Sequence, residues 1–151
     1  TRKTVPGLRA LQKAAVQAGG GQNHRMGLYD AVLIKDNHIA VAGSAEAAVE
    51  QARATVGPGT SIEIEIESTE QLEAVIAAGA DIVMLDNMSV NEMREAVLIT
   101  DGRCRTEASG GITIATIREV AKTGVDMISV GWITHSAPAL DVALDLEYLE
   151  G

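Results

Sequence analysis

Histidine, arginine and lysine side chains flank one apolar run near the start of this sequence. His24 and Arg25 precede residues 31–34, and Lys35 follows them directly. A short apolar run between polar breakers predicts a buried strand, most often in a parallel sheet. Lys35 would then lie at the carboxyl end of the strand, where ligands bind in α/β barrels and open α/β sheets. A cation there loses hydration unless an anion meets it, so the sequence predicts an anion site.

Carboxylates follow in the next two predicted strands. Residues 61–67 (SIEIEIE) alternate strictly, which predicts isoleucines on one face and Glu63, Glu65 and Glu67 on the other. In a closed barrel alternate residues point inward, and this favours a functional role for Glu65. Asp86 ends the following apolar run. These acidic groups would stand near Lys35 if successive strands lie side by side.

A glycine-rich turn gives a third signal. Ser109, Gly110 and Gly111 follow a weaker predicted strand, and Gly131 follows the next one. Exposed amides at a helix N-terminus bind phosphate, and glycine lets the anion approach closely. Together the two glycine sites predict a phosphate-binding region at the late strands.

Each of these residues also has an ordinary structural interpretation. The glutamates could form a solvated strand face, and Asp86 could cap the next helix. His24 and His38 could be hydrogen-bonded histidines without a ligand, which is the commoner situation for a lone histidine. Residues 109–111 could be a plain turn.

The elements that must position these residues alternate along the chain. Helices are predicted over residues 8–18, 45–55, 70–78, 89–99, 113–122 and 140–149, and strands over residues 31–35, 61–67, 82–85, 105–108 and 125–130. Ser44, Ser68 or Thr69, Ser89 and Thr113 are the predicted helix caps. This alternation predicts right-handed βαβ units on a parallel sheet. Because no strand is followed by GxGxxG, an α/β barrel is favoured over a nucleotide-binding open sheet.

Composition narrows the class of protein further. The 151 residues carry a net charge of −9, yet residues 1–38 hold six basic and two acidic side chains. A small cluster of basic residues in an otherwise acidic chain indicates a small anionic ligand and not a nucleic acid. There is no apolar run of about 18 residues, so no membrane span is predicted. Cys104 is the single cysteine, which predicts a structural thiol in a reducing cytoplasm.

One type of reaction needs cations, carboxylates and a glycine-rich phosphate loop together. Displacement of pyrophosphate from a sugar builds positive charge on the ribose carbon, which carboxylates stabilise. Lysines would neutralise the leaving pyrophosphate, and the glycine loop would hold the 5′-phosphate.

Six motifs resemble the quinolinate phosphoribosyltransferase family, also called carboxylating nicotinate-nucleotide pyrophosphorylases. They are TRKTVPGLR (1–9), GGGQNHRMGLYDAVLIKDNHI (19–39), EIEIES (63–68), VMLDN (83–87), EASGGI (107–112) and GVDMISVGWITH (124–135). They cover nearly the whole chain in order. The resemblance implies a reaction of quinolinate with phosphoribosyl pyrophosphate, giving nicotinate mononucleotide, pyrophosphate and carbon dioxide in de novo NAD biosynthesis, with Mg²⁺ as the cofactor.

The resemblance also implies roles for individual residues. Arg2, His24, Arg25 and Lys35 match residues around the quinolinate carboxylates; Lys3 and Lys35 match residues near the pyrophosphate; Glu65 and Asp86 match the acidic pair near the ribose and the metal; Ser109, Gly110, Gly111 and Gly131 match the 5′-phosphate loops. The expected catalytic residues are Lys35, Glu65 and Asp86. Arginine suits a dicarboxylate because its planar fork pairs with a carboxylate through two hydrogen bonds.

Family members also carry an N-terminal α/β sandwich domain that donates an arginine to the neighbouring subunit's site. Residues 1–151 are therefore expected to be the catalytic barrel portion, without that domain and without the first barrel strand, and to work as a homodimer or an assembly of dimers. A barrel that lacks one strand leaves an open edge. Two alternatives remain: a module that binds quinolinate without turnover, and a related barrel with another substrate. Arg2, His24 and Arg25 argue against the latter, because a substrate without two carboxylates would leave them unpaired.

Overall fold

A five-stranded parallel sheet forms the centre of the protein in a computed structural model that describes residues 3–147. The strands are β1 (Val32–Ile34), β2 (Ile62–Ile66), β3 (Ile82–Asp86), β4 (Arg105–Ser109) and β5 (Met127–Ile128). They lie in the order β1-β2-β3-β4-β5, and every neighbouring pair is parallel. Strands that follow chain order form a barrel wall, whereas a doubly wound sheet reverses its order. The predicted parallel α/β fold is confirmed as a partial barrel.

Helices connect the strands. They are α1 (Arg9–Ala18), α2 (Asp36–Ala42), α3 (Ala45–Thr55), a 3₁₀ turn (Thr69–Gln71) leading into α4 (Leu72–Ala77), α5 (Val90–Thr100), α6 (Ile117–Ala121) and α7 (Trp132–His135). Three predicted caps are confirmed, since Ser44 Oγ accepts the Ala47 N–H, Ser68 Oγ accepts the Glu70 N–H and Ser89 Oγ accepts the Glu92 N–H. The Glu92 side chain accepts the Ser89 N–H in return, which completes a capping box.

Alternate strand residues face opposite sides of the sheet. The isoleucines of β2, with Val83 and Leu85 of β3, pack in the core against α3, α4 and α5 and are at most 1% exposed. The glutamates of β2 lie on the other face, as the SIEIEIE pattern predicts. The aliphatic core is therefore on the helix-covered face. The opposite face, which carries the glutamates of β2, is called the inner face.

Two predicted helices differ from the structure. Residues 140–147 form no helix, and the rest of that predicted helix lies outside the described residues. The apolar residues there recur every second position, and Leu140, Val142, Leu144 and Leu146 are each about four-fifths exposed. A period of two fits an extended chain better than a helix, which explains the error.

The helix predicted from Thr113 begins only at Ile117. Thr113 does not cap it; instead the Thr113 N–H donates to Thr116 Oγ1, which shapes a turn before the helix. The strand predicted over residues 125–130 is shorter, Met127–Ile128, and α2 and α7 were not predicted. No helix among the described residues is long and apolar enough to cross a lipid bilayer.

Candidate active site

A cavity of about 550 Å³ opens on the inner face, at the carboxyl ends of the strands. Its lining includes these predicted site residues: Lys3, His24, Arg25, Lys35, Glu65, Ser109, Gly110, Gly111 and Gly131. Asp86 is not part of the lining, and Arg2 lies outside the described residues. The fold therefore brings nine predicted residues from distant parts of the chain to one cavity.

Lys35 and Glu65 form an ion pair within this cavity. Lys35 follows β1 and precedes α2, and its Nζ donates to Glu65 Oε1 on the adjacent β2. Both side chains are partly buried, with 31% of Lys35 and 19% of Glu65 exposed. His38 is a hydrogen-bonded structural histidine, because its Nδ1 accepts the Lys35 N–H at the start of α2. A positive and a negative group thus meet at the mouth of the cavity.

Asp86 ends β3 beside the glycine turn. Its register partner on β4 is Ser109, and its Oδ2 accepts a hydrogen bond of 2.9 Å from Asn87 Nδ2. Asp86 does not cap the following helix, because Ser89 caps α5. Asp86 therefore lies next to the cavity wall without being part of it.

Gly110 is required by the close approach of two loops. Its φ is +93°, and a Cβ there would lie 2.2 Å from Asn87 Oδ1 and 2.8 Å from Asn87 N. The turn does not stand at a helix N-terminus as predicted, because α6 begins at Ile117. Anion binding by this turn would have to rely on its own backbone amides.

Lys3 reaches the last predicted glycine. A Cβ at Gly131 would lie 3.0 Å from Lys3 Cδ. Thr134 Oγ1 donates to the Lys3 carbonyl at 2.6 Å, and Gln12 Nε2 of α1 donates to the Thr134 carbonyl at 2.6 Å. These bonds fasten the start of the described chain to α7 and place Lys3 at the cavity.

A buried lysine supports the loop that carries Arg25. Lys13 of α1 is 6% exposed, and its Nζ donates to the carbonyls of His24 and Arg25 at 2.7 and 2.9 Å. Burial lowers the pKa of Lys13. The Arg25 guanidinium itself donates to the Ala31 carbonyl at 2.9 Å. Sequence reasoning missed Lys13, because a single lysine in a helix carries no signal of a buried role.

Two buried glutamates were also missed as specific site residues. His24 Nε2 lies 3.0 Å from Glu63 Oε2 and 3.9 Å from Glu107 Oε1. Ser129 Oγ of the segment after β5 donates to Glu107 Oε1. Burial, together with the charge of Glu63, raises the pKa of Glu107. The strict alternation of β2 pointed to Glu63 but favoured Glu65, and Glu107 stood in the motif EASGGI without an assigned role.

The carboxylates Glu65 and Asp86 suit magnesium only in part. Mg²⁺ prefers oxygen ligands and is usually held by one or two carboxylates together with substrate phosphates and waters. Within residues 3–147, the group of three potential metal ligands consists of His24, Glu63 and Glu107, and includes neither predicted residue. Glu65 and Asp86, near the carboxyl ends of neighbouring strands, would therefore supply only part of the ligands that a Mg²⁺ ion needs.

The fold and the cavity define a class of protein: a barrel-type α/β protein whose strand ends bring cations, carboxylates and a glycine turn to one cavity. A thiamine phosphate pyrophosphorylase from Pyrococcus furiosus shares the fold, with a TM-score of 0.55 at 20% identity over 86% of this chain and 73% of that protein.

The family follows from closer matches. Residues 1–145 match the family model described as quinolinate phosphoribosyl transferase, C-terminal domain. The chain is 51% identical over 146 residues to the "Probable nicotinate-nucleotide pyrophosphorylase (carboxylating)" of Bacillus subtilis (strain 168), covering 97% of this chain and 50% of that protein. The nicotinate-nucleotide pyrophosphorylase structure from Francisella tularensis superposes with a TM-score of 0.88 at 50% identity, over 93% of this chain and 50% of that one. The chain belongs to the quinolinate phosphoribosyltransferase family and spans about half the length of these relatives.

Proposed function

We propose that this chain is the catalytic barrel portion of an enzyme that transfers a phosphoribosyl group to quinolinate and removes one carboxylate. The pyridine nitrogen bonds to C1 of the ribose as the bond from C1 to pyrophosphate breaks. The carboxylate next to the ring nitrogen then leaves as carbon dioxide, and the ring carbon that keeps the bonding electron pair takes a proton from solvent to give nicotinate mononucleotide. The observation that supports this most is the single cavity in which Lys3, Arg25, Lys35 and Glu65 meet a glycine turn. The reaction needs each of these groups.

The cations would bind the two substrates. Arg25 and Lys3 approach the cavity from the segments around α1, and Arg25 is the group whose planar guanidinium suits a carboxylate of quinolinate. Arg2, by position, would take the second carboxylate. Lys35 would exchange its contact with Glu65 for the negative pyrophosphate as bond breaking proceeds.

The acidic residues would act at the ribose. Glu65 places a carboxylate in the cavity, where it stabilises positive charge developing at C1. We infer that Glu65 and Asp86 would hold Mg²⁺, which would supply positive charge to neutralise the phosphates of phosphoribosyl pyrophosphate. Ser109, Gly110, Gly111 and Gly131 would hold the 5′-phosphate.

We also infer a homodimer or an assembly of dimers, because the family resemblance implies that a neighbouring subunit completes the site with an arginine. A cytoplasmic location stays a prediction. It is supported by Cys104, whose half-buried thiol has no second cysteine in this chain to pair with.

Calorimetric titration of the intact protein with quinolinate tests the proposal, with nicotinate as the one-carboxylate comparison. We expect quinolinate to bind and nicotinate to bind far more weakly. Arg25→Ala should weaken quinolinate binding by at least about tenfold, since a hydrogen bond between charged groups contributes about 1.5–3 kcal/mol. Arg94→Ala is the matched control, because Arg94 is exposed on α5 and contacts Asn91.

Two results would contradict the proposal. Equal affinity for nicotinate and quinolinate would indicate a different substrate. Quinolinate binding without pyrophosphate release, in the presence of phosphoribosyl pyrophosphate and Mg²⁺, would leave a binding module in place of an enzyme.

A further inference from the structure

Two chain segments without regular structure carry cations that the proposed function assigns to substrate binding. Residues 3–5, which include Lys3, precede α1, and residues 23–26, which include Arg25, follow it. Neither segment is part of a helix or a strand. Backbone outside regular structure is fixed only by hydrogen bonds to other parts of the protein. The groups that bind these two segments therefore determine where the cations lie.

Lys13 of α1 binds the second segment. Its Nζ donates to the carbonyl oxygens of His24 and Arg25 at 2.7 and 2.9 Å, and Asn23 Nδ2 donates to the Lys13 carbonyl at 2.9 Å. The Lys13 side chain is 6% exposed, and a buried ammonium group needs such acceptors. The two carbonyls belong to the peptide groups on either side of the Arg25 Cα. Lys13 therefore fixes the backbone from which the Arg25 side chain leaves.

Gln12, the preceding residue of α1, binds the first segment. The Val5 N–H donates to Gln12 Oε1 at 2.8 Å, and Gln12 Nε2 donates to the Thr134 carbonyl of α7 at 2.6 Å. Thr134 Oγ1 in turn donates to the Lys3 carbonyl at 2.6 Å. Both ends of the Gln12 amide are therefore used, and the backbone around Lys3 is held by Gln12 directly and through α7.

The two contacts leave α1 in different directions. Consecutive residues of an α-helix point about 100° apart, so Gln12 and Lys13 reach segments on different sides of the helix. Arg9 of α1 touches both segments, since its guanidinium donates to Thr4 Oγ1 at 3.2 Å and to the Met26 carbonyl at 3.4 Å. These bonds are longer and exposed, and they contribute less than those of Gln12 and Lys13. The positions of Lys3 and Arg25 therefore depend on separate residues of one helix.

Direct contact with substrate is the alternative role for Lys13, because its side chain also lines the cavity. An ammonium group has three N–H donors, and the carbonyls of His24 and Arg25 take two of them. A residue that acts on the backbone should stabilise the segment 23–26 before any substrate binds. A residue that only binds substrate should leave the segment unchanged when it is removed. The two roles therefore differ in the ligand-free protein.

We propose that two consecutive residues of α1 position the cations of the cavity, one residue for each substrate. Lys13 positions Arg25 for quinolinate. Gln12 positions Lys3 for phosphoribosyl pyrophosphate. Both act through the backbone of another segment, and groups that bind substrate need such support, because a misplacement of about 1 Å can cost about 100-fold in rate. The substrates named here rest on the proposed function, whereas the contacts of α1 with the two segments do not.

Amide hydrogen exchange of the intact, ligand-free protein tests the support of the two segments. Lys13→Met keeps the length of the side chain but has no donor, and it should speed exchange in residues 23–27 at least about tenfold. Gln12→Ala removes the acceptor of the Val5 N–H and should speed exchange there at least about threefold. Each variant should leave the other segment within about twofold of the wild type. Gln17→Ala, at an exposed position of the same helix, should change neither segment.

Steady-state kinetics test the assignment of one residue to each substrate. Lys13→Met should raise the KM for quinolinate at least about tenfold and leave the KM for phosphoribosyl pyrophosphate within about twofold. Gln12→Ala should raise the KM for phosphoribosyl pyrophosphate at least about threefold and leave that for quinolinate within about twofold. Lys13→Arg retains donors and should return the KM for quinolinate to within about threefold of the wild type. Lys122→Met, which replaces an exposed lysine paired with Glu119, should change neither KM.

Three results would overturn the inference. Unchanged exchange in residues 23–27 of Lys13→Met, together with a raised KM for quinolinate, would make Lys13 a direct substrate ligand. An equal rise of both KM values in each variant would mean that α1 acts on the whole cavity. Unchanged KM values in both folded variants would mean that neither residue positions a cation. If Lys13→Met does not fold, Lys13→Gln, whose shorter side chain cannot span both carbonyls, decides the same points. The exchange results need no substrate, so they decide the role of α1 even if the wild type shows no turnover and the proposed function fails.

Discussion

The two faces of the sheet are built from alternate residues of the same strands and behave in opposite ways. On the helix-covered face, Ile62 and Ile64 of β2 are fully buried among aliphatic neighbours. On the inner face of the same strand, Glu63 and Glu65 are buried or half-buried against His24 and Lys35. One face gains free energy from apolar burial, and the other must compensate buried charge by pairing it.

This difference separates stability from function within single strands. A substitution on the helix-covered face should change the free energy of unfolding and leave the chemistry of each folded molecule intact. A substitution on the inner face should change the chemistry far more than the free energy of unfolding. The following predictions, from the largest expected effect to the smallest, test that separation.

Glu65→Gln should lower kcat by about 10²–10³-fold, because a preorganised charge at the reacting centre contributes about 3–4 kcal/mol to the transition state. Quinolinate affinity should change far less, since Glu65 acts on the ribose and not on the carboxylates of quinolinate. Steady-state kinetics combined with calorimetric binding measure the two effects separately. Glu67→Gln, at an exposed position next to the same strand, should leave both unchanged. Equal losses of turnover and quinolinate binding would contradict the role of Glu65.

Ile64→Ala should lower the free energy of unfolding by about 2–5 kcal/mol, because the side chain is fully buried and its removal leaves a cavity. Urea titration followed by circular dichroism measures this change. The kcat of the remaining folded protein should stay within about twofold of the wild type, since the side chain faces away from the cavity. A stable variant with strongly reduced kcat would show that the two faces are not separable.

The sequence predicted the helix-covered face almost completely. The period of two in SIEIEIE and the short apolar runs identify β1 to β4, since burial on a parallel sheet leaves a direct hydrophobic pattern. The end of the chain was less predictable. Residues 140–147 carry apolar side chains at every second position, but acidic residues between them also suit an amphipathic helix, and local pattern alone did not choose correctly.

The inner face was predicted only where residues follow strand ends. Lys35 and Glu65 could be placed together because parallel strands end at one edge of a sheet. The contacts of His24 with Glu63 and Glu107 join residues far apart in sequence, and no local pattern encodes them. The support of Arg25 by Lys13 depends on where α1 packs, which only the folded chain determines.

The smallest effect concerns pH and stability. Burial, reinforced by Glu63, raises the pKa of Glu107 above its ordinary value of 4.5. Below that value both the folded and the unfolded chain are protonated at this position. Above it the folded state keeps a proton that the unfolded state releases, so stability falls as pH rises until the folded-state pKa is passed. Each unit of elevation corresponds to about 1.4 kcal/mol lost by high pH.

Glu107→Gln removes this titration. We expect the free energy of unfolding of the wild type to fall relative to that of the variant between pH 5 and the folded-state pKa, about 1 kcal/mol per unit in that window. Urea titrations at several pH values measure the difference, and Glu67→Gln should run parallel to the wild type throughout. Parallel curves for Glu107→Gln would mean that Glu107 is ionised in the folded protein at neutral pH. The inner face would then keep two charged glutamates buried within reach of His24, and the energetic cost of burying them would set this face further apart from the aliphatic helix-covered face.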